Sequence, residues 1–310
     1  MILMNFVVQQ QVPIVFMHSF MSYAWMMNGI ISKIQKLNPD WDLINCEVGN
    51  GALDTFFMSI DQQTDELAKC INSDPRTHDG FIGVGYSNGA FLMRNYLQKY
   101  NHVKAPMLRY VSIAGPVAGF FCGVDSNCWL FRKFPKFLSK YIKSNVYGQY
   151  FQDNIGPAGF WRDPYQLDSF NANSSVLSKI DNSITINSTY KQNFMSVDRI
   201  VLFGSPRDGL IQPWQSSWFG VMNSNSEHSI LNMQSRFEYV SDSFGLRTMN
   251  EQSRIRIIDT NLTHLQYMWS GKFVNEFLEP ELRMEALKGW WFHQNEYKTR
   301  MDYSDYSRKV

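Results

Sequence analysis

The chain has 310 residues, 44% of them hydrophobic and 15% aromatic, a composition that can bury one large core together with a sizeable insertion. Its 29 basic and 28 acidic residues leave a net charge of +1, which argues against the broad basic surface of a nucleic-acid-binding protein. No apolar run is long enough for a membrane-spanning helix, and residues 1–8 show no complete signal peptide because a basic n-region and a cleavage site are missing.

Apolar strand patterns alternate with helical patterns along the chain, an order that is typical of βαβ units. The predicted strands are short apolar runs bounded by polar or turn residues, and they cover residues 12–17, 41–48, 81–84, 107–114, 199–204 and 254–260. Helical spacing of apolar residues predicts helices over 24–37 and 55–71 and again from residue 90. We therefore expect an α/β fold with a mostly parallel, doubly wound sheet.

The third predicted strand breaks at the sequence G-Y-S-N-G, residues 85–89, and a helix follows directly. This context is typical of a nucleophile elbow, a sharp turn that exposes one serine hydroxyl above the sheet edge. Gly85 and Gly89 flank Ser87 because side chains at those positions would collide. The alternative is an ordinary strand-to-helix turn. The pattern makes Ser87 the candidate nucleophile.

A serine nucleophile needs a base and an acid that orients the base, and in α/β hydrolases the acid precedes the histidine in the chain. Asp208 follows the strand 199–204, at the carboxyl edge of the sheet where catalytic groups gather. His264 follows the strand 254–260 and is the candidate general base. The other histidines come too early in this order or lie in a polar loop or tail, where a structural role is usual: His18, His78, His102, His228 and His293.

The first predicted strand ends at a position where this fold supplies one backbone N–H to the oxyanion hole, and the residue after the nucleophile supplies the second. Phe20 and Asn88 are the matching donors. Ser19 stands where many hydrolases have glycine, so the loop either tolerates a side chain or shapes the hole differently.

Residues 115–198 separate two strands by more than a simple crossover needs, and they are rich in aromatic residues. We expect one α/β-hydrolase domain over residues 1–310, in which 115–198 form a helical lid or cap and 283–310 a C-terminal extension. The aromatic residues of this insertion include Phe120, Phe121, Trp129, Phe131, Phe134, Phe137, Trp161 and Phe170. We expect most of these rings to pack the core of the insertion and the remainder to line a groove.

Several features indicate the secretory route. Three sequons could accept N-linked glycans, at Asn173, Asn187 and Asn261. Cys122 and Cys128 enclose a short loop that could close as a disulfide in an oxidising compartment. Cys46 and Cys70 fall on a predicted strand and a predicted helix, and we expect them to be buried free thiols.

Three segments, residues 156–164, 212–220 and 242–248, resemble those of palmitoyl-protein thioesterases, and most closely the second, lysosomal type. The similarity runs from about Val12 to Leu282. It implies hydrolysis of long-chain fatty acyl thioesters of cysteine or coenzyme A in the lysosome, with Ser87, Asp208 and His264 as the triad and no metal or organic cofactor. Two rivals remain, a lipase or carboxylesterase that acts on oxygen esters and a catalytically silent lipid-binding protein of the same fold.

The resemblance also bears on the cysteines and on the glycan sites. The family bridge has a counterpart in Cys122 and Cys128, whereas no cysteine lies near Tyr100 to pair with Cys70 as a second family disulfide requires. Two of the sequons, at Asn173 and Asn187, fall where family sequons occur.

Residues 129–143 alternate apolar and basic side chains at roughly helical spacing. This pattern predicts either a peripheral contact with anionic lipid or a solvated basic face. The lysines that would face lipid headgroups are Lys133, Lys136, Lys140 and Lys143.

Overall fold

The computed structural model describes residues 12–122, 136–224 and 229–284, with the side chains of 136–139 excepted. Its strands are β1 Ile14–Met17, β2 Leu43–Cys46, β3 Phe81–Tyr86, β4 Met107–Ile113, β5 Ile200–Gly204, β6 Val221–Met222, β7 Ile230–Leu231 and β8 Ile255–Asp259. One sheet has the order β2-β1-β3-β4-β5-β8 with every neighbouring pair parallel, and β6 pairs with β7 in an antiparallel hairpin. The predicted α/β fold with a doubly wound parallel sheet is confirmed.

Helices cover both faces of this sheet. The α-helices are α1 Asn28–Leu37, α2 Asp54–Phe57, α3 Ile60–Ser73, α4 Asn88–Tyr100, α5 Lys136–Asn145, α6 Gln149–Asn154, α7 Leu167–Asn173, α8 Leu177–Ile180, α9 Ser188–Phe194, α10 Phe237–Val240, α11 Leu246–Glu251, α12 Gln266–Trp269 and α13 Glu279–Leu282. Short 3₁₀ helices span Ala24–Met27, Pro75–Thr77, Gly156–Phe160, Trp214–Trp218 and Met233–Ser235, and a π-helix spans Phe273–Leu278. In the described part of the chain, no helix has the length and apolar character needed to cross a membrane.

The strands alternate their side chains between two hydrophobic cores, one on each face of the sheet. In β1, Val15 and Met17 join the core beneath α3 and α4, whereas Ile14 and Phe16 join the core beneath α1 and the C-terminal helices. The central strands β3 and β4 are buried along their whole length because both faces are covered. The carboxyl ends of the central strands therefore emerge at one edge, where polar groups can meet.

The single helix predicted over 55–71 is interrupted in the structure. Helix α2 ends at Phe57 and α3 begins at Ile60, with Ser59 as its N-cap. The Ser59 side chain accepts from the N–H of Gln62, and the Gln62 side chain accepts from the N–H of Ser59, so the two form a capping box. The spacing of serine and glutamine in residues 59–62 is the sequence signal of this break.

The cysteine prediction needs a correction, because Cys46 and Cys70 form a disulfide with Cα atoms 5.9 Å apart. Cys46 ends β2 on the face that packs against α3, and α3 carries Cys70. The expectation of two free thiols was wrong because this contact between a strand and a helix is not visible in either pattern alone. Cys122 is also disulfide-bonded. Its predicted partner Cys128 lies outside the described residues, so that pairing stays a prediction.

Buried salt bridges connect the chain between β4 and β5 with the rest of the domain. Asp181 is fully buried and forms salt bridges with Arg94 of α4 at 2.6 Å and with Arg236 at 2.5 Å. The guanidinium of Arg94 also lies over the ring of Phe244, at 4.6 Å from its centroid. Four of the aromatic residues named in the sequence analysis are buried: Phe120, Phe121, Trp161 and Phe170. Tyr141, Tyr150 and Tyr165 of the same segment are exposed, and Trp129, Phe131, Phe134 and the side chain of Phe137 lie outside the described part of the chain.

Candidate functional site

Ser87 lies at the junction of β3 and α4 in a strained backbone conformation, with φ 56° and ψ −122°. A Cβ atom on Gly85 would lie 2.3 Å from the backbone nitrogen of Ala90, and one on Gly89 would lie 2.3 Å from the carbonyl oxygen of Met17. Neither position admits a side chain. The turn therefore requires both glycines, for the steric reason that the sequence pattern indicated.

Loops from three strands bring Ser87, His264 and Asp208 together at the carboxyl edge of the sheet. His264 Nε2 lies 3.0 Å from Ser87 Oγ, and His264 Nδ1 lies 2.8 Å from Asp208 Oδ2. Because an ionised carboxylate only accepts, Nδ1 carries the proton, and Nε2 accepts from the serine hydroxyl. All three residues are buried. This is the geometry in which a histidine can remove the proton of a serine nucleophile.

Further hydrogen bonds hold the acid and the histidine in place. Asp208 Oδ1 accepts from the backbone N–H groups of Leu210 at 2.9 Å and Ile211 at 3.0 Å, which orients the carboxylate. The hydroxyl of Tyr86 donates to the carbonyl oxygen of His264 at 2.8 Å. Burial raises the pKa of Tyr86, so this hydroxyl stays protonated and remains a donor. Sequence reasoning missed this role of Tyr86, although it directly precedes Ser87.

The two expected oxyanion donors lie on adjoining segments. Asn88 is the first residue of α4, and Phe20 lies on the loop that follows β1. A Cβ on Gly89 would approach the carbonyl oxygen of His18 to 2.4 Å, so this loop lies directly against the start of α4. Within the described ranges, the N–H groups of Phe20 and Asn88 donate to no protein acceptor. Both N–H groups are therefore available to a bound ligand.

The glycine-to-serine difference at Ser19 has a simple structural explanation. The left-handed backbone conformation in this loop occurs at Met21, with φ 51°, and not at Ser19. The loop therefore tolerates a side chain at position 19. Its conformation is supported at Met21, whose N–H donates to Thr55 Oγ1 at 2.8 Å.

A buried network connects the loop after β1 with the first turn of α4. Asn88 Nδ2 donates to Gln63 Oε1 at 3.0 Å, and Gln63 Nε2 donates to the carbonyl oxygen of Thr55 at 2.9 Å. The side chain of Thr55 in turn accepts from the N–H of Met21. Gln63 and Thr55 thus support the segments that carry both expected oxyanion donors. A lone glutamine and a lone threonine give no sequence signal for such a role.

His18 has a partner outside the site. Its Nε2 atom lies 2.5 Å from Glu47 Oε1, and its Nδ1 atom lies 2.9 Å from the carbonyl oxygen of Ser19. Burial lowers the pKa of His18 even though Glu47 favours the charged form. The pair supports the loop that carries Phe20, and among the described residues no hydrogen bond joins His18 to Ser87.

The remaining candidates lie apart from the catalytic groups. The sequon residues Asn173, Asn187 and Asn261 are exposed, and glycosylation of them stays a prediction. On the predicted basic face, Lys140 is exposed, whereas Lys133 lies outside the described residues together with His228 and His293. The described residues contain no group of three or more His, Cys, Asp or Glu side chains arranged to hold a metal ion.

Comparisons with known proteins identify the family of this chain. A family model described as palmitoyl protein thioesterase matches residues 13–264. Palmitoyl-protein thioesterase 3 of Dictyostelium discoideum is 32% identical over 253 residues, which cover 81% of this chain and 84% of that protein. The lysosomal thioesterase PPT2 homolog of Drosophila melanogaster is 29% identical, with coverages of 87% and 91%, and lysosomal thioesterase PPT2-B of Xenopus laevis is 27% identical, with coverages of 79% and 83%.

Proposed function

Because the chain belongs to the palmitoyl protein thioesterase family, we propose that it hydrolyses long-chain fatty acyl thioesters of cysteine or coenzyme A through an acyl-serine intermediate. Membership of this family makes the protein a hydrolase with an α/β-hydrolase fold. The serine mechanism is supported above all by the continuous hydrogen bonding from Ser87 through His264 to Asp208 on a strained elbow.

In the acylation step, Ser87 Oγ attacks the acyl carbon while His264 Nε2 takes the hydroxyl proton. Asp208 remains ionised and stabilises the imidazolium. The N–H groups of Phe20 and Asn88 bind the oxyanion of the tetrahedral intermediate. This intermediate then collapses, the carbon–sulfur bond breaks, and the departing sulfur receives the proton from His264 and leaves as a thiol.

In the deacylation step, a water molecule gives a proton to His264 Nε2 and attacks the carbonyl carbon of the acyl-serine. The ester bond breaks, Ser87 recovers the proton from His264, and the fatty acid leaves. The triad supplies both the base and the acid in each half of the reaction, so the proposed mechanism uses no further group.

Chain-length selectivity would come from burial of the acyl chain. Each methylene removed from water contributes about 0.8 kcal/mol, so a long apolar groove favours palmitoyl over acetyl groups by a wide margin. We assign this groove to the insertion of residues 115–198, which would act as a lid or cap. Its aromatic content supports the assignment.

We also propose that the protein works in the lysosome or the lumen of the secretory pathway. Relatives that cover most of the chain carry the name lysosomal thioesterase. The disulfide between Cys46 and Cys70 supports an oxidising compartment, where such bonds persist. The exposure of the three sequon residues is compatible with glycosylation in that pathway.

A direct comparison of substrates tests the proposal. Purified wild type and Ser87→Ala would be assayed at neutral and acidic pH with a palmitoyl thioester and with its oxygen-ester analogue. We expect thioester turnover that Ser87→Ala abolishes. A preference for the oxygen ester would indicate a lipase or carboxylesterase instead. Fatty-acid binding without turnover of either ester, by a folded preparation, would indicate the silent lipid-binding protein.

A further inference from the structure

Large apolar side chains are exposed around the catalytic edge of the sheet. They lie on three segments: the loop after β1 with its 3₁₀ helix, helix α2 with its N-cap residue, and the loop after β8 with helix α12. We call this set the apolar rim; each member exposes at least half of its surface, and the members are Met21 50%, Trp25 62%, Leu53 63%, Phe57 60%, Leu265 62% and Trp269 68%. Exposed apolar clusters of this kind mark interaction sites more often than isolated exposed residues do.

Contacts beneath the rim show that its segments adjoin one another. Tyr23 stacks on Trp25 with ring centroids 6.2 Å apart, and a Cβ on Gly51, close to Leu53, would meet the ring of Tyr23 at 2.2 Å. Gly29 lies one helical turn after Trp25, and a Cβ on Gly29 would lie 3.6 Å from the ring of Trp269. The rim therefore extends from α2 across the loop after β1 to α12.

The rim borders the catalytic residues on two sides. Met21 directly follows the expected oxyanion donor Phe20, and Leu265 directly follows His264. The ring of Phe20 lies 5.7 Å from that of Phe56, which precedes the rim residue Phe57. A substrate that approaches Ser87 from this edge passes the rim.

The charge of these segments limits what can cover the rim. Residues 19–31, 50–58 and 261–271 contain one Asp, Glu, Lys or Arg, which is Asp54. Its carboxylate accepts from the backbone and side-chain nitrogens of Asn50. Charged groups of both signs border these segments: Glu47 accepts from the N–H of Ala24, and Lys33 and Arg207 donate to the carbonyl oxygens of Gly29 and Asn261. Because neither sign predominates, the surface does not select an anionic headgroup, whereas exposed Trp, Phe, Leu and Met suit the boundary between headgroups and acyl chains of a zwitterionic bilayer.

We propose that the apolar rim docks the protein on an uncharged lipid surface, with the catalytic edge facing the bilayer. This inference rests on the proposed function in one respect: it explains how an acyl chain embedded in a membrane reaches Ser87 without crossing water. The acyl chain would leave the bilayer at the rim and pass directly to the nucleophile. The surface differs from the basic face of residues 129–143, since it needs no anionic lipid.

Sedimentation with phosphatidylcholine vesicles tests the docking independently of catalysis. We compare the wild type, the rim variant Trp25→Ser/Trp269→Ser, and a matched control, Phe237→Ser/Val240→Ser, whose targets are 66% and 59% exposed on α10 outside the rim. The rim variant should partition about tenfold more weakly, because two large apolar contacts are lost, while the control should match the wild type. Equal partitioning of all three proteins would overturn the proposal, and so would a wild type that binds only when phosphatidylserine is added.

A second readout separates docking from acyl-chain binding. The rate on a palmitoylated peptide in phosphatidylcholine vesicles is divided by the rate on palmitoyl-coenzyme A dissolved below its micelle concentration, so that both substrates carry the same acyl chain. We expect this ratio to fall about tenfold in the rim variant, in parallel with its partitioning. An equal fall of both rates would assign the rim to the acyl site and refute docking. Vesicle binding retained by Ser87→Ala supports docking even if the wild type hydrolyses neither ester, so the two proposals fail separately.

Discussion

Replacement of Gly89 by alanine tests whether the contact between the elbow and the loop after β1 controls catalysis. The added Cβ would lie 2.3 Å from the carbonyl oxygen of Met17 and 2.4 Å from that of His18. Both atoms belong to the backbone and cannot rotate away. Ordinary contact begins at 3.4 Å, so the loop and the start of α4 must separate by about 1 Å.

That displacement would move the two oxyanion donors apart. Phe20 follows His18 on the displaced loop, whereas Asn88 precedes Gly89 on α4. A misplacement of about 1 Å in a catalytic arrangement can lower the rate about 100-fold. We therefore expect kcat/KM for a palmitoyl thioester to fall about 100-fold in Gly89→Ala, mostly through kcat, because donors that bind the oxyanion act in the transition state.

The assay is steady-state hydrolysis together with circular dichroism to establish that the variant is folded. Gly271→Ala is the matched control, because a Cβ at that position meets nothing within 4 Å. The control should retain wild-type kcat/KM. A folded Gly89→Ala protein with less than about a threefold loss would refute the argument that this contact sets the oxyanion geometry.

Three further predictions concern the acid, the disulfide and the buried charges. Asp208→Asn should lower kcat about 10⁴-fold in steady-state assays, because the amide oxygen keeps the bonds from the N–H groups of Leu210 and Ile211, and the amide NH2 then faces His264 Nδ1 and favours the wrong tautomer; an unchanged kcat would exclude Asp208 as the orienting acid. Cys46→Ser should lower the free energy of unfolding by about 3 kcal/mol in denaturant titrations, because the disulfide closes a loop with a sequence separation of 24 residues; Cys70→Ser should show the same loss, and unchanged stability of both variants would contradict this role of the bond. Burial would raise the pKa of Glu238, but Arg236 and then Arg162 outweigh it and lower this pKa to about 2. Ionised Glu238 therefore contributes on the order of 3 kcal/mol to the free energy of unfolding. This contribution is complete above the pKa of about 4.5 that the carboxyl has in the unfolded chain, and it is lost as the pH falls towards 2. Unfolding titrations across this range should show a smaller decline for Glu238→Gln.

The sheet could be predicted from sequence because each strand is a local apolar run and parallel βαβ order follows from their alternation with helices. Strand ends differ by a few residues, as at β2, where the predicted range 41–48 became Leu43–Cys46. Ser87, Asp208 and His264 could be placed for a similar reason, since each follows a strand whose carboxyl end meets the same edge.

Contacts between distant segments could not be predicted in the same way. The disulfide of Cys46 with Cys70 depends on how α3 lies against β2. The support that Gln63 and Thr55 give to the loop after β1 and to Asn88 depends on side chains from two helices meeting under the site. Such pairs leave no periodic or motif signal in the chain, because their partners are brought together only by the folded sheet.

The salt bridge between Arg94 and Asp181 limits how this enzyme can be engineered. Arg94 is on the helix that begins beside the nucleophile, and its counterion comes from the segment between β4 and β5. Deleting that segment, or replacing it with the segment of a relative that has other substrates and lacks the aspartate, would leave the buried guanidinium of Arg94 without a counterion. A graft must therefore transfer the arginine and the aspartate together. If the segment opens, its hinge must lie away from Asp181, so that the salt bridge stays intact.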